Sequence, residues 1–504
     1  MRTVRRNAAA VAAAVAAATA IVAAGRARRR RRRGTAPRRH PVSNLTRSSR
    51  NLELARLGMG VGTRFAATSA RKLFASAERR VELDEQLKLR TAEQIAERLG
   101  QMKGALMKIG QMASYLDDGL PEPVRLALAQ LQSNAPPMSA ELAAGVITEE
   151  LGRHPDELFV EWDPEPIAAA SIGQVHRALW RDPDTGEEVA VAVKVQYPGV
   201  GEAIAADLRN TDLLGGLLAY NFSGLDPSEM VAEIKERLTE ELDYSLEQAN
   251  QQRFADFYRD HPFIHVPAPV PALSSSRVLT TELATGATWS EALTWPQEDR
   301  DRIGETLFRF VFRSLYLLRA FNGDPHPGNY LFQRDGTVTF LDFGLVRHFS
   351  EPEVDVFVRM VRAAVHDNDP AAFRAVVEEA GLLRAGAPVT TEQVREYFAD
   401  FYSTSGADAT MTWTKDYASR IVRHTFDNTS PVTQYTTVPR TFVLIQRINL
   451  GLYALLGDLG ARGNYRRIAE ELWPFTQGPP STRLGEAEAA WLSARSAGES
   501  VGPR

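Results

Sequence analysis

The pattern of apolar and polar positions divides the body of the chain into a helical part, a short β-rich part and a longer helical part. Apolar residues recur every three or four positions over 91–116, which predicts amphipathic helices. Residues 187–199 alternate apolar and polar positions and are rich in valine, so they predict a strand, and two shorter strands are predicted at 277–283 and 337–343. Over 350–473 the pattern is helical again. This order of elements predicts the α+β fold class.

A hairpin is predicted at the start of the β-rich part. Residues 166–180 precede a turn signal at Asp182–Gly186, and the valine-rich strand follows that turn. The first arm of this hairpin begins with a run of small residues, Ala168 to Ser171.

Charge is divided unevenly between the N-terminal tail and the rest of the chain. The chain has 59 Lys and Arg against 63 Asp and Glu, a net charge of −4, yet residues 1–40 contain twelve arginines and no acidic residue, so the remainder has a net charge of −16. An acidic body argues against a general nucleic-acid binder, which needs its basic surface on the folded part. The absence of cysteine excludes a disulfide scaffold, a thiolate zinc site and a cysteine nucleophile.

The tail itself contains an uncharged, alanine-rich run at 8–24, whose length is at the lower limit for crossing a bilayer. Six consecutive arginines at 28–33 argue against a cleaved signal peptide and predict a body on the cytoplasmic face if the run inserts. The arginines could also hold an anionic leaflet without insertion. The alternative is a low-complexity extension that makes no membrane contact.

Four segments, in chain order, carry side chains suited to phosphate and metal chemistry. Lys194 lies near the end of the valine-rich strand, and Glu247 lies on a predicted helix as a candidate ion-pair partner. Asp324 and Asn329 are five residues apart in the loop GDPHPGNYLF, and Asp342 follows an apolar strand in the segment LDFG. Each one alone also fits an ordinary solvated side chain or a loop residue.

Together the four segments match the requirements of phosphoryl transfer. A strand lysine holds the α- and β-phosphates, a helix glutamate orients that lysine, and an Asp and an Asn five residues apart precede a DFG aspartate that binds Mg²⁺. Carboxylate and amide oxygens are the hard ligands that Mg²⁺ prefers. The combination predicts a protein-kinase-like two-lobe fold, and ATP and Mg²⁺ as cofactors. The helical pattern before the β-rich part adds an N-terminal helical extension to this prediction.

Two features depart from an ordinary protein kinase. The glycine-rich phosphate loop is replaced by a run of alanines, in which only Gly173 and Val175 of the usual pattern remain. Alanine restricts the backbone more than glycine does, so we expect a stiffer loop. Asn322 and Gly323 stand before Asp324 in place of His-Arg, and His326 is either a phosphate donor or a residue that packs within the loop.

These motifs resemble the UbiB/ADCK-like atypical kinases, a family linked to ubiquinone metabolism, over residues 50–475. Lys108-Ile-Gly-Gln111 resembles the K-x-G-Q motif of the family, Glu241-Leu-Asp243 its E-x-D motif, and Ala168 to Ser171 its alanine-rich loop. The resemblance implies that Lys108, Gln111, Glu241 and Asp243 form a gate that covers the groove of a protein substrate. A small-molecule kinase or ATPase is therefore favoured over a protein kinase.

The predicted roles follow from the motifs and the resemblance together. Asp324, Lys194 and Glu247 are the predicted catalytic residues, and Asn329 and Asp342 are the predicted metal ligands. The nucleotide is predicted to bind at the hinge beside Glu282, at Lys194 and at the loop residues Ala168, Ala169, Ala170, Ser171, Gly173 and Val175. The predicted domains are a tail (1–40), a helical extension (41–137), an N-lobe (138–286), a C-lobe (287–476) and a disordered tail (477–504).

The expected function is that of an atypical kinase or ATPase at the cytoplasmic side of a membrane, in support of isoprenoid quinone or lipid metabolism. The expected partners are membrane lipids or enzymes of the quinone pathway, together with a lipid-soluble phosphate acceptor, and no nucleic acid. Two alternatives remain open, a protein Ser/Thr kinase and a nucleotide-gated scaffold without catalysis.

Overall fold

The structure is a computed structural model, and it describes residues 138–170, 172–201, 239–417, 420–421, 430–437, 439–476 and 478–499. The predicted tail at 1–40 and the predicted extension at 41–137 lie outside these residues, as do Lys108, Gln111 and Ser171.

An antiparallel four-stranded sheet is the main β element of the predicted N-lobe (138–286). The elements of this lobe are helices α1 (Ala140–Leu151), α2 (Pro155–Leu158) and α3 (Tyr244–Phe257) and strands β1 (Glu161–Ala169), β2 (Gly173–Arg181), β3 (Glu188–Gln196), β4 (Ile264–His265) and β5 (Val278–Glu282). The strand order in the sheet is β1-β2-β3-β5, while β4 pairs with a strand of the C-lobe. The predicted strands at 187–199 and 277–283 thus correspond to β3 and β5.

The alternation in β3 explains how the sheet packs. Val191, Val193 and Val195 are fully buried and contact the buried face of α1, which includes Ala143 and Ile147. Successive side chains of a strand point to opposite faces, so Ala192 and Lys194 lie on the other face of the sheet.

Helix α3 is the element that presents a glutamate to the sheet. Its buried residues, Tyr244, Glu247, Gln251 and Phe254, recur every three or four positions and form one face. The Asp243 carboxylate accepts a hydrogen bond from the backbone N–H of Ser245 at 3.0 Å and so caps the N-terminus of the helix.

The C-lobe is mainly helical, as the sequence predicts for 350–473. Its helices are α4 (Trp289–Ala292), α5 (Gln297–Arg313), α6 (Glu351–Val361), α7 (Pro370–Glu379), α8 (Thr391–Gly406), α9 (Arg440–Leu459), α10 (Tyr465–Leu472) and α11 (Arg483–Glu499). Its strands are β6 (Ala320–Asn322), β7 (Tyr330–Phe332), β8 (Val338–Phe340), β9 (Val346–His348), β10 (Met411–Thr412) and β11 (Arg462–Gly463).

Short strands between α5 and α6 carry the loops of the candidate site. β4, β8 and β7 form a three-stranded sheet in that order, and β6 pairs with β9. Aromatic side chains hold this region on α5, where the Phe310 ring stacks on the Phe340 ring with a centroid distance of 3.6 Å. The loop after β6 and the loop after β8 are therefore fixed by a buried core.

The C-terminal segment differs from the prediction. A disordered tail is expected for 477–504, but residues Arg483–Glu499 form helix α11. The helix is held by Glu488, which is 1% exposed and bonds Arg309 Nη1 at 2.8 Å and Arg313 Nε at 2.9 Å. The prediction from composition was wrong because alanine, although common in low-complexity tails, is also the strongest helix former.

No helix in the described part of the chain is long and apolar enough to cross a membrane. The alanine-rich run at 8–24 lies outside that part.

Candidate nucleotide and metal site

Lys194 and Glu247 form a buried ion pair between the sheet and helix α3. Lys194 lies in the central strand β3, between Val175 of β2 and Leu279 of β5. Its Nζ donates to both carboxylate oxygens of Glu247, at 2.7 and 2.8 Å. The side chains are only 17% and 5% exposed. The structure thus brings together the two residues that the sequence predicts as partners.

A second carboxylate, that of Asp342, also faces this lysine, with its Oδ2 at 3.8 Å from Nζ. Burial alone would lower the pKa of Lys194, but the charges of Glu247 and Asp342 raise it well above its usual value. Burial raises the pKa of Glu247 to about 7, while the Lys194 ammonium acts in the opposite direction. Two carboxylates lie within 4 Å of the Lys194 ammonium and stabilise its charged form, so the pKa of this lysine is raised. Lys194 is therefore a fixed cation at neutral pH.

Asp342 sits at the start of the DFG loop, and its orientation is set by the backbone. Its Oδ1 accepts a hydrogen bond from the N–H of Gly344 at 2.9 Å. The side chain remains 35% exposed, so the carboxylate is open to a cation from the solvent. Helix α3 contacts the same loop, because Asn250 Nδ2 donates to the carbonyl oxygen of Phe343 at 3.2 Å.

Asp324 and Asn329 contact each other across the preceding loop. Asn329 Nδ2 donates to Asp324 Oδ2 at 3.1 Å and to the Asp324 carbonyl oxygen at 3.2 Å. This leaves Oδ1 as the atom of the Asn329 amide that would hold a metal. The side chain of His326 folds back on the loop, where its Nδ1 accepts from the N–H of Gly328 at 3.1 Å. That contact supports a packing role for His326 within the loop over the alternative role of a phosphate donor.

Asn322 is a structural residue of the site that sequence reasoning missed. Its Nδ2 donates to the Asp342 carbonyl oxygen at 2.7 Å, and its Oδ1 accepts from the Asp324 N–H at 3.3 Å. The residue is 8% exposed. A polar residue directly after Ala320 and Phe321 was the available signal, but the sequence alone shows it only as a departure from His-Arg. Asn322 therefore ties the loop that carries Asp324 and Asn329 to the loop that begins at Asp342.

The donor set fits Mg²⁺. Among the described residues no cluster of three or more His, Asp or Glu side chains could bind a metal by itself. Mg²⁺ typically uses one or two carboxylates together with substrate phosphates and water, so it needs no such cluster. Asp342 and Asn329 would supply the protein oxygens.

The alanine-rich loop is shorter in the structure than in the sequence pattern. Ala168 and Ala169 belong to β1, opposite Val175 and Gln174, and the Ala170 N–H donates to the Gly173 carbonyl oxygen at 2.9 Å. The turn therefore spans only a few residues.

Gly173 has a packing role in addition to its predicted contact with nucleotide. A Cβ at this position would collide with the carbonyl oxygen of Val195 and with the hydroxyl of Tyr244. Only glycine fits between the neighbouring strand and the first residue of α3. The Tyr244 ring in turn lies 4.9 Å from Lys194 Nζ.

The remaining predicted residues lie at the edges of the site. Glu282 ends β5, where its Oε2 accepts from the Ala268 N–H at 3.1 Å, so its carboxylate is engaged with the backbone. Glu241 lies close enough to Glu247 for its charge to raise the pKa of that carboxyl. Asp243 caps α3. The contacts of the predicted gate with Lys108 and Gln111 fall outside the described residues.

Comparison with known proteins identifies the family. The model of the ABC1 atypical kinase-like domain matches residues 130–376, a range that includes Lys194, Glu247 and both loops of the site. The solved structure of the Rv3197–erythromycin complex from Mycobacterium tuberculosis aligns with a TM-score of 0.57 and 32% identity, over 78% of this chain and 98% of that chain. The chain belongs to the UbiB/ADCK family of atypical kinases.

Curated relatives of this UbiB/ADCK protein are named as kinases. Atypical kinase COQ8B, mitochondrial, from Rattus norvegicus is 36% identical over 54% of this chain. The protein ACTIVITY OF BC1 COMPLEX KINASE 1, chloroplastic, from Arabidopsis thaliana is 33% identical over 56% of this chain. The alignments cover 51% and 42% of the length of these relatives. The resemblance and the kinase-like α+β fold that the sequence predicts are confirmed.

Proposed function

We propose that the protein binds ATP with Mg²⁺ and transfers or hydrolyses the γ-phosphate, as an atypical kinase or ATPase of the UbiB type. The observation that carries this proposal is the position of Lys194, which is 2.7 Å from Glu247 and 3.8 Å from Asp342. A lysine held by a helix glutamate beside a DFG aspartate is the arrangement that phosphoryl transfer requires.

Each side chain has a defined task in this proposal. Lys194 binds oxygens of the α- and β-phosphates, and Glu247 keeps its ammonium in place. Asp342 and Asn329 Oδ1 would hold Mg²⁺, which would supply neutralisation of charge on the phosphate oxygens. Asp324 positions the attacking group and takes its proton at a carboxylate oxygen. Asn322 keeps the two loops at a fixed separation.

Glu247 and Asp342 share Lys194 before any nucleotide arrives, which has a chemical consequence. Phosphate oxygens bound to Lys194 would replace part of its contact with Asp342, and the Asp342 carboxylate would then be available to hold a metal. Binding of nucleotide and binding of Mg²⁺ are therefore expected to support each other.

The membrane and quinone parts of the proposal rest on the resemblance and on the tail. Relatives carry COQ8 names and are described as mitochondrial or chloroplastic. The twelve arginines of residues 1–40 suit an anionic leaflet. We place the protein at the cytoplasmic side of a membrane, with a lipid-soluble acceptor or enzymes of a quinone pathway as partners.

Phosphate release from ATP by the purified full chain tests the proposal. The wild type is compared with Asp342→Asn and with the matched control Asp416→Asn, which changes an exposed aspartate away from the site. Reactions run with and without anionic vesicles, and a parallel assay measures transfer of radiolabel to protein. Release that requires Asp342, rises with vesicles and leaves protein unlabelled supports the proposal.

The other outcomes select the alternatives. Strong labelling of protein would indicate a protein kinase. Tight ATP binding with neither release nor labelling would indicate a nucleotide-gated scaffold. Release that is unchanged in Asp342→Asn would refute the assigned metal site.

A further inference from the structure

The C-lobe contains a cavity that is separate from the nucleotide site. Its volume is about 230 Å³, and side chains of α5, α6, α8, α9 and α10 line it. None of the five residues that carry the phosphoryl-transfer chemistry lines it. Most of the wall is aromatic or aliphatic, with Phe312, Phe398, Phe401 and Trp473 among the large side chains.

The polar side chains that the described residues place in this wall are uncharged hydroxyl and amide groups. Tyr316, Tyr402 and Tyr453 all line the cavity. Burial raises the pKa of each phenol; the nearby Tyr316 phenol raises that of Tyr402 further, and the phenols of Tyr417, Tyr402 and Tyr316 raise that of Tyr453 further. These phenols thus lie close to one another. No described residue of the lining is charged.

Asn449 adds an unused hydrogen-bonding group to the same wall. It lines the cavity from α9, and its Oδ1 is buried with no hydrogen-bond partner among the described residues. Buried polar atoms are nearly always hydrogen-bonded, so an unpaired amide oxygen in a cavity wall points to a missing donor. A ligand hydroxyl can both donate to an amide oxygen and accept from a phenol.

We propose that this cavity is a binding site for an uncharged, largely apolar molecule that carries one hydroxyl group. The size of the molecule follows from the volume, since an apolar cavity of roughly 150 Å³ holds benzene. A cavity of about 230 Å³ suits roughly ten heavy atoms, the size of a fused two-ring aromatic or of an alcohol with two isoprene units. A neutral ligand is favoured, because no lining residue in the described part of the chain carries a charge that would compensate an ionised one.

Two parts of the cavity wall adjoin the loop that carries Asp324 and Asn329. Phe321 lines the cavity and precedes Asn322, which bonds the backbone of both loops of the nucleotide site. On α9, Gly451 follows the lining residues Asn449 and Leu450 and is packed so tightly against Pro325 that a Cβ would collide with the proline ring. The site for the apolar molecule therefore adjoins the catalytic loop, although its existence does not depend on the proposed ATP chemistry.

Binding of small aromatic probes to the full chain tests the inference without any activity assay. The probes are naphthalene, 2-naphthol and 2-naphthoate, which share the two-ring body and differ in the polar group. Quenching of tryptophan fluorescence reports binding, because Trp473 lies in the cavity wall. We expect 2-naphthol to bind about tenfold more tightly than naphthalene, the effect of one hydrogen bond to a buried group, and 2-naphthoate not to bind.

Three variants locate the probe. Ala469→Leu extends a larger side chain from α10 into the cavity. This change should weaken binding of both neutral probes about tenfold. Ala454→Leu makes the same change at an exposed position of α9, outside the lining, and should leave binding unchanged. Asn449→Leu should lower the affinity for 2-naphthol to that for naphthalene and leave the affinity for naphthalene unchanged.

The same measurements can overturn the inference. No saturable binding of 2-naphthol by the wild type would refute it, and so would equal binding of 2-naphthoate. If Ala469→Leu fails to fold, as shown by a lost thermal transition, Asn449→Leu decides the question. Retention of the preference for 2-naphthol in Asn449→Leu would contradict the assigned hydroxyl site.

Discussion

Replacement of Glu247 by glutamine is expected to lower the free energy of unfolding even when no nucleotide is present. Glu247 is 4% exposed, and both of its oxygens accept from Lys194 Nζ, at 2.7 and 2.8 Å. Removal of one partner of a buried ion pair typically costs about 3–5 kcal/mol, because the other charge is left buried. Here glutamine keeps one acceptor, and Asp342 remains 3.8 Å from the ammonium. We therefore expect a cost of about 2 kcal/mol, below the usual range.

A double-mutant cycle measures this coupling. The four proteins are the wild type, Glu247→Gln, Lys194→Met and the double variant, and urea unfolding of each is followed by circular dichroism. The double variant should lose less than the sum of the two single losses by about 2 kcal/mol, since residues in one buried pair are not additive. Losses that add to within roughly 0.5 kcal/mol would refute a coupled buried pair.

Three further substitutions test the packing at Gly173, the loop contacts of Asn322 and the pairing of Glu488. Gly173→Ala should lower the melting temperature, because the new Cβ has no room beside the neighbouring strand, and an unchanged melting temperature would contradict that packing. Asn322→Ala should slow phosphate release about tenfold or more by releasing the two loops, whereas an unaltered rate would show that Asn322 does not position them. Glu488→Gln should cost about 3–5 kcal/mol at neutral pH. Burial alone would raise the pKa of Glu488, but Arg313, His261 and Arg309 hold it well below its usual value. The stability from this carboxylate is therefore present above about pH 4.5 and is lost on acidification. Urea unfolding between pH 5 and pH 3 should show a steeper loss in the wild type than in Glu488→Gln, and equal slopes would contradict the role of Glu488.

The sequence predicts the residues whose chemistry demands a fixed spacing. The alternation of β3 places Lys194 opposite the buried valines, and the interval between Asp324 and Asn329 lets the two side chains meet across one loop. Both features depend only on residues close together in the chain, so they can be predicted from the order of residues alone. The kinase-like fold follows because several such local patterns occur in one order.

Contacts between distant segments were not predictable in the same way. Asn322 bonds the backbone of Asp342, twenty residues later, and no periodicity records that contact. The C-terminal helix is fixed by Glu488, whose partners Arg309 and Arg313 lie in α5. A composition of small residues gives no sign of this pairing, which explains the incorrect expectation of a disordered tail. The cavity beside Asn449 likewise depends on the packing of five helices.

The affinity for ATP in the presence and absence of Mg²⁺ is the decisive measurement for the proposed nucleotide site. Isothermal titration of the full chain compares the wild type with Asp342→Asn and with the exposed control Asp416→Asn. We expect Mg²⁺ to raise ATP affinity about tenfold or more in the wild type and in the control, and to have no such effect in Asp342→Asn. An equal effect of Mg²⁺ in all three proteins, or no ATP binding by the wild type, would contradict a magnesium–nucleotide site at Lys194 and Asp342.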